Sequence, residues 1–269
     1  MFKYFTITLL LLISQAAFSN TQCFMVKNLN DNKIITAEGN CEERFTPAST
    51  FKIPLSLMGF DSAIFTSETK PTWAYEEKYA ESAWGEPCKV PQNPASWIKN
   101  SCVWYSQILT QKLGKEKFQH YVNAFNYGNK DVSGDIGKDD GLSRAWLGSS
   151  LKISPKEQVE FISNLLRNQL PVSNQSQTLT QHILYAEDLS NGWKMYGKTG
   201  MVYERDNEGI PNSERHIGWY VGWISKGDEQ LVFAALIVDN QNQTESASMR
   251  AKQEAKQRLT KMITIGLGD

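Results

Sequence analysis

Apolar and polar positions along this chain follow two periods, and the places where both lapse predict its long connections. Cys23-Phe24-Met25-Val26 and Ile34-Ile35-Thr36-Ala37 are short runs around the turn residues Asn30-Asp31-Asn32, which predicts a hairpin at one side of a sheet. Trp193 to Gly200, His216 to Ser225 and Gln230 to Val238 predict three more strands, the last two joined by the turn Lys226-Gly227-Asp228-Glu229. The run Leu55-Ser56-Leu57-Met58-Gly59-Phe60 is apolar on most sides, so it predicts a buried helix, with Pro54 kinking or tightening its first turn. Helices are also predicted from Val103 to Lys112, from Lys115 to Phe125 after Gly114, and from Leu179 to Tyr185. Ser154-Pro155-Lys156-Glu157 is a capping box that opens a helix carrying Val159, Ile162, Leu165 and Leu166 on one face and ending before Pro171. Thr244 to Ile265 predicts a long amphipathic helix.

Between these elements, Ser67 to Asn100 is rich in Trp, Pro and charge without a sustained period, and Tyr127 to Gly141 is dense in Gly, Asn and Asp. Both predict irregular connections, and a long loop inside a compact domain is often functional. The order is strands, helices, strands and a terminal helix, with no βαβ alternation. It predicts an α+β fold: an antiparallel sheet flanked by N- and C-terminal helices, with a mainly helical insert. We expect one catalytic domain over 20–269, its sheet-bearing part at about 20–60 and 190–269 and its helical part at about 61–189.

Met1 to Ser19 carries one charge, Lys3, then the apolar stretch Ile7 to Ile13 and the small-x-small site Ala17-Phe18-Ser19. This predicts a secretory signal cut after Ser19 and a periplasmic or secreted protein; an uncleaved anchor is the alternative, though the stretch is short for spanning a bilayer. The formal net charge of −1 becomes −2 once Lys3 is removed, a balance that gives no reason to expect nucleic acid or an anionic membrane as a partner. The four cysteines, Cys23, Cys41, Cys88 and Cys102, show no C-x-x-C spacing. Cys23 and Cys41 flank the hairpin and are the first candidates for a bridge, while four buried free thiols remain the other reading. His120, His182 and His216 stand far apart without metal-ligand spacing, so no metal is expected.

The candidate chemistry begins at Pro47-Ala48-Ser49-Thr50-Phe51-Lys52-Ile53. In a helix starting near Ser49, Lys52 lies three residues on and shares a face with the serine. A serine hydroxyl attacks a carbonyl only when a neighbour takes its proton, and a lysine can do so only when burial or a neighbour alters it. S-x-x-K alone is a weak signal, common on solvent-facing helices. Ser101-Cys102-Val103 adds a second hydroxyl at a helix start, Trp146-Leu147 follows the Gly-rich loop, and Lys198-Thr199-Gly200 puts a cation, a hydroxyl and a close-approach glycine on a strand.

The ordered set S-T-F-K, S-C-V, Y-G-N, W-L and K-T-G resembles the class D β-lactamases, within the wider superfamily of serine β-lactamases and penicillin-binding proteins, across the whole mature chain. The resemblance implies that Ser49 attacks the β-lactam carbonyl to form an acyl-enzyme. It also implies that Lys52 is carboxylated by carbon dioxide to N6-carboxylysine, which serves as general base in acylation and deacylation. Carboxylation needs a neutral amine, hence an apolar pocket, which Phe51, Val103 and Leu147 are suited to line, with the indole N–H of Trp146 holding the carbamate. By the same resemblance Ser101 relays a proton to the leaving nitrogen and Lys198 supplies positive potential. The backbone N–H groups of Ser49 and Met201 form the oxyanion hole, and Thr199, Gly200 and Arg250 meet the substrate, Arg250 on position in a helix rather than on a motif. No cofactor beyond carbon dioxide or bicarbonate is implied, the small-molecule partner is a β-lactam antibiotic, and the chain is a monomer or a homodimer.

Two departures stand out. Cys102 occupies the middle of S-x-V, where an apolar residue would serve; it either packs or is oxidisable near the site. The stretch Met201 to Glu214, with Glu204, Arg205, Asp206, Glu208 and nearby Arg215, is long and charged and is expected to border the pocket. Competing readings are a D-alanyl-D-alanine peptidase, a β-lactam sensor domain that is acylated without turnover, and a degenerate scaffold. Trp146 with S-C-V argues against the first, and the second should follow transmembrane segments.

Overall fold

The computed structural model describes residues 21–205 and 209–265. The signal segment expected at 1–19, and Asp206 and Glu208 of the charged loop, lie outside the described residues. Six strands form one antiparallel sheet: Thr21–Asn28 (β1), Ile34–Gly39 (β2), Tyr185–Asp188 (β3), Lys194–Arg205 (β4), Pro211–Lys226 (β5) and Glu229–Val238 (β6), in the order β2-β1-β6-β5-β4-β3. Eight α-helices accompany it among the described residues: Lys52–Asp61 (α1), Pro94–Asn100 (α2), Val103–Leu113 (α3), Lys115–Ala124 (α4), Gly141–Arg144 (α5), Pro155–Leu166 (α6), Asn174–Ile183 (α7) and Ala247–Ile265 (α8). The sheet is therefore built from the two ends of the chain, and helices α1 to α7 form a layer between them. No described helix is long and apolar enough to cross a membrane.

The alternation of the strands explains how the sheet carries helices on both faces. In β6, Val232, Ala234, Leu236 and Val238 join the core under the helical layer, while Leu231, Phe233, Ala235 and Ile237 join a second core under α8. A strand buried on both faces reads as a continuous apolar run, which is how Leu231 to Val238 reads in the sequence. Helix α8 buries a stripe of small residues at four-residue spacing, Ala247, Ala251 and Ala255 with Leu259. That stripe lets the helix lie close on β5: a Cβ on Gly218 would come within 2.2 Å of the Ala247 backbone. On the opposite face α1 is buried all round, from Lys52 to Phe60, at the centre of the helical layer.

The stretch from Ser67 to Asn100, expected to be irregular, contains α2, opened by Asn93 and Ser96 in a reciprocal capping box with Pro94 in the first turn. Helix α7 starts ahead of Leu179, at a cap made by Ser173, and the edge strand β3 follows it where the sequence showed no strand signal. Both cysteine pairs are bridged, Cys23 to Cys41 and Cys88 to Cys102. The free-thiol reading therefore does not hold, and Cys102 is half of a disulfide.

Candidate active site

Ser49 lies on a single 3-10 turn, Ala48–Phe51, that runs directly into α1. Ala48, the residue before it, is left-handed (φ 49°) without being glycine, a conformation that costs roughly 1–2 kcal/mol. Packing and bonding must hold it there. Thr50 N–H donates to Pro47 O at 3.1 Å, Thr50 Oγ1 donates to the same oxygen at 2.6 Å, and Gln158 Nε2 on α6 donates to Thr50 Oγ1 at 2.9 Å. The result is a tight, internally bonded turn that offers the Ser49 side chain on its outer side.

Lys52 Nζ is 3.0 Å from Ser49 Oγ, and the lysine is fully buried, at 0 % exposure. Burial drives its proton affinity well below the usual lysine value, and the charge of Lys198 acts in the same direction. The group the serine meets is thus a lysine biased toward its neutral amine. Phe51 is fully buried beside it and stacks on Trp146 at 5.6 Å between centroids. Trp146 Nε1 is buried and has no hydrogen-bond partner, an orphaned donor in an apolar wall. Val103 is buried at the first turn of α3, and Leu147 packs half-buried against the core.

Trp146 is carried by the connection between α4 and α6, and the Y-G-N residues close that connection at its base. Tyr127 is buried and packs its ring on Phe51 at 5.3 Å. Gly128 is left-handed (φ 55°) and lies so close to Lys152 that a Cβ would sit 2.0 Å from its carbonyl oxygen. Asn129 Nδ2 donates to Ser150 O at 2.8 Å, and its Oδ1 accepts from Lys152 N–H at 2.9 Å. Thr46, just ahead of Ser49, fastens the other side: its Oγ1 donates to Trp146 O at 3.0 Å and accepts from Gly148 N–H at 3.1 Å. Trp219 on β5 donates to Thr46 O at 2.9 Å, so sheet, Ser49 turn and loop meet at one residue.

Strand β4 reaches this assembly through Gly200. A Cβ there would stand 2.8 Å from Pro47 O and 3.1 Å from Thr50 N, so glycine alone lets the strand run against the Ser49 turn. That contact sets the segment Lys198–Met201 of the strand along the turn that carries Ser49. Lys198 is buried, donates from Nζ to Thr199 O at 3.1 Å, and titrates at about 7, lowered first by burial and second by the charge of Lys252. Ser101 occupies the joint between α2 and α3 in a left-handed conformation (φ 63°, ψ 30°), its N–H donating to Trp97 O at 2.8 Å.

Arg250 lies one turn into α8, at the end of that helix that packs on Gly218, the β5 partner of Met201. It is not a solvated helix arginine: its Nη2 donates to the buried carboxylate of Asp239, and its Nε donates to Glu245 O at 3.1 Å. The charged stretch after Met201 is tied back to the Trp146 loop, because Asp135 lies 3.2 Å from Arg144 and 3.6 Å from Arg205. Thr46, Gln158, Asp135 and Asp239 escaped sequence reasoning, since each acts by bonding to residues distant in the chain and none belongs to a short motif.

The penicillin-binding protein transpeptidase domain family matches residues 15–261. The chain is 39 % identical over 233 residues to β-lactamase OXA-9 of Klebsiella pneumoniae, covering 87 % of this chain and 85 % of that one. It is 37 % identical over 259 residues to β-lactamase OXA-1 of Escherichia coli, covering 95 % and 89 % respectively. The crystal structure of the class D β-lactamase OXA-427 superposes with a TM-score of 0.83 at 40 % identity, covering 90 % of this chain and 98 % of that one. The chain belongs to the class D β-lactamases. A class D β-lactamase is a serine hydrolase that needs no cofactor beyond carbon dioxide for lysine carboxylation. The residues present here fit that group: a fully buried lysine biased toward its neutral amine, and a buried indole N–H in the adjoining wall with nothing yet to donate to.

Proposed function

We propose that the chain hydrolyses the β-lactam ring of penicillin-type antibiotics through an acyl-enzyme on Ser49, in the periplasm or outside the cell, and so confers resistance to them. The observation that carries this reading is the pairing of Ser49 Oγ with the buried Lys52 Nζ at 3.0 Å, next in sequence to Phe51, which stacks on a Trp146 whose N–H has no partner.

Ser49 Oγ attacks the ring carbonyl as its proton passes to the Lys52 side, and the carbonyl oxygen gathers negative charge. Two backbone donors, the N–H groups of Ser49 and Met201, receive it, and the close approach of β4 at Gly200 supports that pairing. The C–N bond of the ring breaks, Ser101 gives its proton to the departing nitrogen and takes in its place the one that left Ser49, and Lys198 lends positive potential beside it. Thr199 and Arg250 receive the substrate carboxylate, with Asp239 holding one edge of the guanidinium. Carbon dioxide on Lys52 supplies a carboxylate general base, which is what lets water clear the ester and return the enzyme. Phe51, Val103 and Leu147 keep the lysine dry, and Trp146 offers its N–H.

The test is steady-state hydrolysis of a chromogenic cephalosporin and of oxacillin by the chain from Asn20 onward, with and without added bicarbonate. We expect turnover that rises with bicarbonate and vanishes in Lys52→Ala. One-for-one acylation of Ser49 without turnover would instead make the protein a sensor or a peptidase. Sedimentation of the same sample distinguishes monomer from homodimer.

A further inference from the structure

The Cys88–Cys102 bridge is set against the reacting groups in a way that the Cys23–Cys41 bridge is not. Cys102 stands between Ser101 and Val103, and its backbone is the N-cap of α3, where its side chain makes no cap hydrogen bond. Ser101 is held in a left-handed conformation that is uncommon for a residue other than glycine. The last turn of α2 flanks it on one side, where its N–H donates to Trp97 O, and the bridged Cys102 flanks it on the other.

The bridge leads to a rigid anchor. Cys88 closes the 3-10 turn Glu86–Cys88, and its carbonyl accepts from Trp104 Nε1 at 2.8 Å, so α3 grips the same turn from within its own first turn. Gln92 Nε2 donates to Pro87 O at 2.8 Å, and Asn100 Nδ2, on the residue before Ser101, donates to Gln92 Oε1 at 3.1 Å. Cys88 and Cys102 are both buried, at 1 % and 0 % exposure. The chain from Glu86 to Trp104 thus forms a closed frame with Ser101 at its corner.

We propose that the Cys88–Cys102 disulfide is a positioning element for catalysis: it holds the Ser101 hydroxyl where it delivers a proton to the departing β-lactam nitrogen. The inference rests on the reading of Ser101 as that donor. It makes acylation by this chain dependent on oxidation of a bridge one residue from the catalytic hydroxyl. Displacements on the order of 1 Å cost reacting groups about 100-fold in rate, so a joint relaxed by part of that distance loses tenfold or more.

The molecule contains its own control. Cys23 and Cys41 close a segment of similar length, with a sequence separation of 18 against 14, so the two bridges should constrain the unfolded chain to a similar degree. We would compare Cys88→Ser/Cys102→Val with Cys23→Ala/Cys41→Ala, at saturating bicarbonate and well below either melting temperature. Single-turnover acylation and deacylation constants would be measured with a chromogenic cephalosporin. The expected result is a tenfold or greater loss of acylation rate in the first variant, with deacylation within twofold of the parent, and both constants within twofold in the second. Equal acylation by folded Cys88→Ser/Cys102→Val and parent overturns the proposal, and so does an equal loss in both variants. Should that variant not fold, reduction of the folded Cys23→Ala/Cys41→Ala protein, checked by thiol titration, opens the Cys88–Cys102 bridge alone; we expect the tenfold loss of acylation there, regained on reoxidation, and an unchanged rate in the reduced protein overturns the proposal. A parent chain that is not acylated at Ser49 at all defeats the functional reading itself, which separates the two failures.

Discussion

Trp146→Phe removes the indole N–H of a fully buried side chain, together with the part of the indole that phenylalanine does not fill. Phenylalanine keeps an aromatic ring to stack on Phe51, while the orphaned indole N–H of Trp146 is lost. In the uncarboxylated enzyme that donor has no partner, so its removal takes away no bond. In the carboxylated enzyme, on the mechanism proposed above, it donates to the carbamate of Lys52. A hydrogen bond to a charged group contributes about 1.5–3 kcal/mol. At about 1.4 kcal/mol per decade the carboxylation equilibrium should weaken roughly 10- to 150-fold. The assay is initial hydrolysis rate against bicarbonate concentration, paired with the carbamate carbon signal in a sample equilibrated with 13C-bicarbonate. We expect the half-activating bicarbonate concentration to rise by that factor, the carbon signal to vanish at ambient carbon dioxide, and activity to return at high bicarbonate. A variant that stays folded, keeps its carbon signal and shows the parent's bicarbonate midpoint would refute the assignment of Trp146.

Other consequences are as direct. Lys198 titrates at about 7 in the fold against 10.5 for an ordinary lysine; between those values the unfolded chain holds a proton that the folded chain lacks, so this group makes stability rise with pH across that window and adds no slope below it. Lys198→Met should therefore be more stable than the parent at pH 7, by on the order of 4 kcal/mol at about 1.36 kcal/mol per pKa unit, and urea midpoints in bicarbonate-free buffer should show that advantage shrinking toward pH 10. Gly200→Ala forces a methyl group into Pro47 O, so hydrolysis should fall at least 100-fold together with the melting temperature. Asn129→Ala leaves Ser150 O and Lys152 N without their side-chain partner, a loss of about 1–3 kcal/mol; limited proteolysis should then cut first between 131 and 150, where the parent resists.

The parts of this molecule that were legible in its sequence are those whose cause is local. The capping box at Ser154 and Glu157 needs only four residues and forms as expected. The apolar run of β6 declares burial on both faces, and Ser49 with Lys52 needs only a helical turn to bring them together. The illegible parts depend on partners far along the chain. Helix α2 is short and set in a Pro-rich stretch, and it stands because Asn93 and Ser96 cap each other and Trp97 is buried. The left-handed Ala48 is invisible because alanine gives no hint of it; Gln158, distant in the chain, holds the turn through Thr50. Y-G-N could be read as a motif, but its service as the clasp beneath Trp146 depends on Ser150 and Lys152, which no local pattern connects to it.

Strand β1 pairs with β6, so the first described residues of the chain complete their hydrogen bonding only against a strand near its end. A growing or translocating chain consequently holds Ser49 and Lys52 long before it holds Lys198, and on the proposed mechanism it should not acylate until the last strands and α8 arrive. Such distant pairing slows folding. A cut between α7 and β3 would separate Ser49 and Lys52 from the K-T-G strand, and on the proposed mechanism neither fragment should be active alone. Regained hydrolysis on mixing them would report their reunion, turning the antibiotic-cleaving reaction into a gauge of whether two tethered proteins have met.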